Sequence, residues 1–198
     1  MNGAAETLVS QAYGNGQLKL CGVHFNRGRL ILTAFFIPLA TLLMFSEHIL
    51  IFIGQDPVVS AHTQEFLRYT LPAIYFYCMF DLTKRFLNCM TISWVPMTAQ
   101  IVATVLHPFW CYHFVVVRDL DLYGIAIAYT ITQLTLVVFA TVYSTMVDRI
   151  KEAIILPDKD SLKYWWGYVK LGLPVTLMIW SARFALNIMT LFSGLISV

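Results

Sequence analysis

The stretch LYGIAIAYTITQLTLVVFATVYSTMV, residues 122–147, contains no Asp, Glu, Lys or Arg, and neither does MTISWVPMTAQIVATVLHPFWCYHFVVV at 90–117. A helix crossing about 30 Å of hydrocarbon needs roughly 20 mostly apolar residues, and each stretch exceeds that. Working outward, residues 30–53 are apolar except for Glu47 and His48 near the end, and 171–198 are interrupted only by Arg183. Residues 69–80 are too short to cross unless the helix continues through Asp81 toward Asn88. The opening 1–13 is too short to cross alone, since at 1.5 Å per residue it reaches only about 20 Å. The expected fold is all-α, a polytopic transmembrane helical bundle.

Composition agrees. Of 198 residues, 59% are hydrophobic and only 12% charged, against about 25% charged in an average soluble domain. The 15% aromatic content argues against disorder, four cysteines against a disulfide scaffold, and a net charge of +2 against nucleic-acid binding. The lipid bilayer is the expected partner and integral, multi-pass membrane residence the expected location.

Cations set the expected orientation, because Lys and Arg near span ends are retained on the cytoplasmic side. Segment 17–29 holds Lys19, Arg27 and Arg29, and Lys84 and Arg85 follow the next outer loop. The connector 148–170 holds Arg149, Lys151, Lys159, Lys163 and Lys170, whereas the alternate loops hold only Arg68 and Arg118. GQDP at 54–57 and RDLD at 118–121 read as short outer turns. Tyr164, Trp165, Trp166 and Tyr168 suit the headgroup layer, with 148–170 either an amphipathic cytoplasmic connector or a plain loop with interfacial anchors. The opening segment lacks the basic, apolar and cleavage-site order of a secretory signal. The chain therefore reads as a fragment.

The strings AAETL at 4–8 and QAYG at 11–14 are similar to the second helix of the multidrug and toxic compound extrusion family, which reads close to ALETL-x-x-QAYGA. The resemblance continues through ILIFIGQDP at 49–57, KRFL at 84–87, VPM at 95–97, GIAIA at 124–128, LGLP at 171–174 and LFSG at 191–194. The order and spacing of these strings favour the eukaryotic branch. The resemblance implies a twelve-helix antiporter whose two six-helix lobes alternately open a central cavity. It exports small organic or xenobiotic solutes in exchange for protons or sodium. On that frame the chain runs from midway along the second helix to the end of the seventh. Residues 1–147 form a partial N-terminal lobe, 148–170 the cytoplasmic connector, and 171–198 the first helix of the C-terminal lobe. Alternating access needs both lobes, so a second half-chain is a possible partner, and a non-transporting remnant or membrane scaffold is the alternative. A membrane-embedded enzyme is disfavoured because no His, Asp and Glu cluster converges near an interface.

A carboxylate inside a span is costly and commonly faces a cavity or a partner. Glu6 and Gln11 match the family's helix-two glutamate and glutamine, although five positions separate them by about 140° around a helix. In relatives the seventh helix carries two glutamates in a pattern like E-W-W-x-x-E. Alignment on Pro174 puts Ala182 and Asn187 at those positions, beside Arg183. Arg183 either repels cations and attracts anions, or pairs with Glu6 or snorkels, the last two being favoured. Asp81 and Arg85 suit an ordinary i,i+4 ion pair, and Asn88 and Met90 stand where relatives often carry glutamines. Pro38, Pro72, Pro108 and Pro174 fall inside spans, as hinges of alternating access or as static kinks. His48, His107 and His113 lack metal-ligand spacing, and Cys21, Cys78, Cys89 and Cys111 are scattered, so neither a metal site nor a cofactor is expected.

Overall fold

The computed structural model describes residues 2–147, 150, 153 and 165–196, with side chains described up to residue 189. The described residues form α1 (Asn2–Gly14), α2 (Leu18–Met44), α3 (Ser46–Phe52), α4 (Pro57–Cys89), α5 (Trp94–Cys111), a π-helical segment (Tyr112–Val117), α6 (Asp121–Thr145) and α7 (Trp165–Ile196). Among them, Leu18–Met44, Trp94–Val117, Asp121–Thr145 and Trp165–Met189 are long and apolar enough to cross a membrane. The 33 residues of α4 extend about 50 Å, more than a bilayer's hydrocarbon, with its charges toward the two ends.

Three spans differ in their boundaries from the sequence reading. The span expected at 30–53 is instead α2, which starts at Leu18 and takes Lys19, Arg27 and Arg29 into the helix. The structure accommodates these cations: Arg29 sits over the Phe25 ring at 5.5 Å, and Arg27 is buried with Nη1 3.3 Å from His24 Nδ1. At its other end α2 stops at Met44, and α3 follows as a separate short helix. Buried Gln64 of α4 bridges the break, donating Nε2 to the Met44 carbonyl at 2.6 Å and accepting the Glu47 N–H on Oε1 at 3.3 Å. Backbone groups freed by a helix break have no water to bond inside lipid, and such a bridge supplies their partners. The span expected at 69–88 is the later part of α4, which begins at Pro57. Asp56 caps it, accepting from Val58 and Val59 N–H at 2.8 and 3.3 Å, and Gly54 at φ +94° turns the chain before it. Finally, α7 begins at Trp165 rather than Leu171, so Trp165, Trp166 and Tyr168 belong to the helix. Of the connector, 148, 149, 151, 152 and 154–164 lie outside the described residues.

Small residues at every fourth position hold the bundle together. On α6, Gly124, Ala128, Thr132, Leu136, Ala140 and Ser144 are all buried, a stripe lying between α4 and α5. On α5 the matching row is Val95, Ala99 and Ala103. It continues into His107, whose Nδ1 is 2.9 Å from Thr132 Oγ1 on α6. Between helices in lipid, association comes from close van der Waals approach and interhelical hydrogen bonds, which such rows supply. Pro108 removes one main-chain bond of α5, and the helix widens into the π-helical segment four residues later. A Cβ at Gly124 would lie 2.9 Å from the Phe114 carbonyl there, so α6 abuts that segment only as glycine. A second core joins α1, α2 and the end of α4 to Ile150, Ala153 and Tyr168. A Cβ at Gly22 would meet the Ala153 carbonyl oxygen at 2.1 Å, so this seam also depends on a missing side chain.

Candidate functional site

A cavity of about 420 Å³ opens where α1, α2, α4 and α7 meet. Each long wall is one helical face: Leu32, Phe35, Phe36 and Leu39 on α2, and Thr176, Ile179, Trp180 and Arg183 on α7, both at i, i+3, i+4 and i+7. Cys78, Asp81 and Arg85 line it from α4, Asn2 and Gly3 from α1. α1 approaches α7 closely because residue 3 is glycine; a Cβ there would reach Val175 Cγ1 at 2.6 Å.

One side of the cavity is polar and internally bonded. Asn2 Nδ2 donates to Asp81 Oδ2 at 2.8 Å and to the Cys78 carbonyl at 3.4 Å. Arg85 donates Nε to Asp81 Oδ2 at 2.9 Å and Nη1 to Glu6 Oε2 at 2.5 Å. The guanidinium thus bridges two carboxylates, one from its own helix and one from α1. Opposite stands Arg183, which has no ion-pair partner among the described residues. The Trp180 ring stacks on Phe184 at 5.2 Å and, with Phe35 and Phe36, makes most of the lining apolar. The arrangement offers rings, two carboxylates that share one guanidinium and so keep a surplus negative charge, and a second guanidinium on α7, a lining suited to binding a small molecule.

The sequence-predicted residues divide. Glu6 belongs to the site through Arg85, and Arg183 lines it. Of the two readings favoured for Arg183, pairing with Glu6 or snorkelling, the pairing does not form: Arg85 of α4 takes the Glu6 carboxylate instead. The i,i+4 pair Asp81–Arg85 does form, and it is part of the site rather than a detached surface pair. Gln11 is exposed on α1 away from the cavity, as the 140° offset implies, and Asn187 lies one turn beyond Arg183 on exposed α7 without lining the cavity. Pro38, Pro72, Pro108 and Pro174 all lie inside helices, with Pro38 and Pro174 beside cavity-lining residues. Sequence reading missed Asn2 and the ring wall. The signal available for the wall was two apolar faces of matching i, i+3, i+4, i+7 spacing.

A family model described as MatE matches residues 1–113. The chain is 32% identical over 194 residues to multidrug and toxin extrusion protein 1 of Danio rerio, covering 98% of this chain and 33% of that protein. It is 29% identical to multidrug and toxin extrusion protein 2 of Pongo abelii, covering 100% of this chain and 34% of the relative. Likeness to Protein DETOXIFICATION 16 of Arabidopsis thaliana is 26%, over 98% of this chain and 40% of that protein. The crystal structure of the eukaryotic MATE transporter AtDTX14 superposes with a TM-score of 0.82 at 25% identity, covering 87% of this chain and 39% of that one. The chain spans about a third of the length of the curated relatives it matches. With the matched family model reaching over more than half of the chain and the fold likeness covering 87% of it, this multi-pass membrane chain belongs to the MatE family.

Proposed function

We propose that the chain forms the greater part of one lobe, together with the first helix of the other, of an antiporter. The whole exports small organic solutes in exchange for protons or sodium. Residues 1–147 are the N-terminal lobe portion, 148–170 the inter-lobe connector and 171–198 the opening helix of the C-terminal lobe. The observation that carries this reading is the cavity itself, walled by α1, α2 and α4 on one side and by α7 on the other. A solute there touches both lobes, which is what alternating access around one site requires. The length of α7 left uncovered beyond Gly172 suits a helix whose remaining neighbours come from the second lobe. Glu6 and Asp81 are the carboxylates available to a coupling ion, Arg85 being their shared counter-charge. Pro38 and Pro174, flanking the cavity on α2 and α7, are the proposed bending points.

The test is reconstitution into liposomes with a chain supplying the rest of the Danio rerio relative. Uptake of a fluorescent organic solute is followed under an imposed proton or sodium gradient. Uptake that needs both chains and collapses with the gradient supports the reading, and Glu6→Gln should abolish its gradient dependence. Stable membrane insertion with no uptake in any combination makes the chain a non-transporting remnant or scaffold.

A further inference from the structure

A second, more closed cavity of about 40 Å³ lies between α2, α4 and α6, with Phe25, Asn26 and Arg29, Thr83 and Phe86, and Ser144 among its lining. Its size suits water, since one molecule needs about 10–15 Å³ of such space. Asn26, Thr83 and Ser144 are buried, and the Phe25 and Phe86 rings stack at 4.3 Å, with the Arg29 guanidinium 5.5 Å from the centre of the Phe25 ring. The lining also restricts what can bind. A hydroxyl carries one proton, and here those protons are committed within the helices: Thr83 donates to the Met79 carbonyl at 2.9 Å and Ser144 to the Thr141 carbonyl at 2.7 Å. Both oxygens therefore meet a guest as acceptors only. Arg29 has donors and no lone pair to offer. An anion would meet the hydroxyl lone pairs, and a metal ion would meet the guanidinium charge. A small neutral molecule that donates on one side and accepts on the other satisfies all three groups.

We propose that this cavity is a hydration site, about one or two water molecules bridging α2, α4 and α6 by accepting from Arg29 and donating to the Thr83 and Ser144 oxygens. Buried water typically makes about three hydrogen bonds, the number these groups supply. The Asn26 amide, which both donates and accepts, lines the same space. Such a bridge ties three helices together at one level of the bundle, where lipid supplies no partner to polar groups. It is independent of the larger cavity and of how a solute uses it.

Radiolytic labelling of the full chain in phosphatidylcholine nanodiscs tests it, because an X-ray pulse turns a held water into a hydroxyl radical that oxidises the side chain beside it. Phe86 and Phe80 form a matched pair. Both belong to α4 and both are 3% exposed, but Phe80 sits in an apolar cluster with Ala99, Ala103, Leu136 and Ala140. Expected, by mass spectrometry, is oxidation of Phe86 at least about fivefold faster than of Phe80. A radical scavenger dissolved in the bulk should leave that excess in place. Thr83→Val and Ser144→Ala each remove one acceptor and should lower the Phe86 rate at least about twofold, with an unchanged Phe80 rate as the sign of an intact fold. Thr130→Val removes a hydroxyl bonded in the same way to its own helix, 2.8 Å from the Ala126 carbonyl, but outside the cavity, and should change neither rate. Equal rates for the two phenylalanines overturn the proposal. So does a Phe86 excess that the scavenger abolishes, or one that survives both Thr83→Val and Ser144→Ala undiminished. The rate comparison and the scavenger reading use the unsubstituted chain, so they decide the matter even where a variant unfolds.

Discussion

α6 and α7 are both long and about equally apolar, yet they behave oppositely in the bundle. α6 buries a row at every fourth position between α4 and α5, whereas α7 buries only Tyr168 and Gly172 among its described side chains. Gly124, Ala128 and Ala140 fall on one face of α6 and let neighbouring backbones approach, whereas α7 meets the described helices near Tyr168 and at Gly3 of α1 and leaves its other faces uncovered. In lipid, hydropathy selects which segments become helices, and spacing of small side chains selects which helices pack.

The sharpest challenge to this contrast is a pair of identical substitutions. Ala128→Leu, at a fully buried position, should overpack the α6 row and cost about 3 kcal/mol or more. Ala182→Leu on exposed α7 should stay within about 0.5 kcal/mol. Thermal unfolding of the detergent-solubilised chain, followed by size-exclusion chromatography, reads both. Equal losses would show that α7 is packed as tightly as α6. A glycine pair comes next. Gly22→Ala drives a Cβ against the Ala153 carbonyl and should cost about 2 kcal/mol. Gly167→Ala on α7, with nothing within 4 Å, should gain about 0.5 kcal/mol from helix propensity. The smallest effect is expected from the two cavity arginines. Arg85→Gln leaves Glu6 and Asp81 without their shared cation; the three side chains are 33%, 50% and 22% exposed, so the loss should be about 1 kcal/mol. Arg183→Gln should leave the unfolding midpoint unmoved, and a shift equal to that of Arg85→Gln would reveal an ion pair on α7.

Much of the fold was legible without coordinates. The charge-free runs at 90–117 and 122–147 became α5 with its π-helical extension and α6, because a 3.6-residue helix is the cheapest way to satisfy main-chain groups away from water. The turn at 54–57 was legible for an equally local reason: Gly54 takes φ +94°, Asp56 caps, and Pro57 opens the helix. The i,i+4 pair of Asp81 and Arg85 needs only one helix to form. The start of α2 was misread because Lys19, Arg27 and Arg29 look like loop cations; in the structure the Phe25 ring and His24 receive two of them.

What the residues determined by themselves, then, is whatever depends on neighbours a few positions away: helical runs, caps, and the apolar and polar faces. What only the tertiary structure decided is which face meets which. Arg85 reaches Glu6 across 79 positions and Gln64 reaches Met44 across 20. Arg85 also holds Asp81, and Arg183 forms no ion pair among the described residues. Such choices depend on helix separations set by Gly3, Gly22 and Gly124, and the register of one helix against another is a property of their packing rather than of either sequence alone.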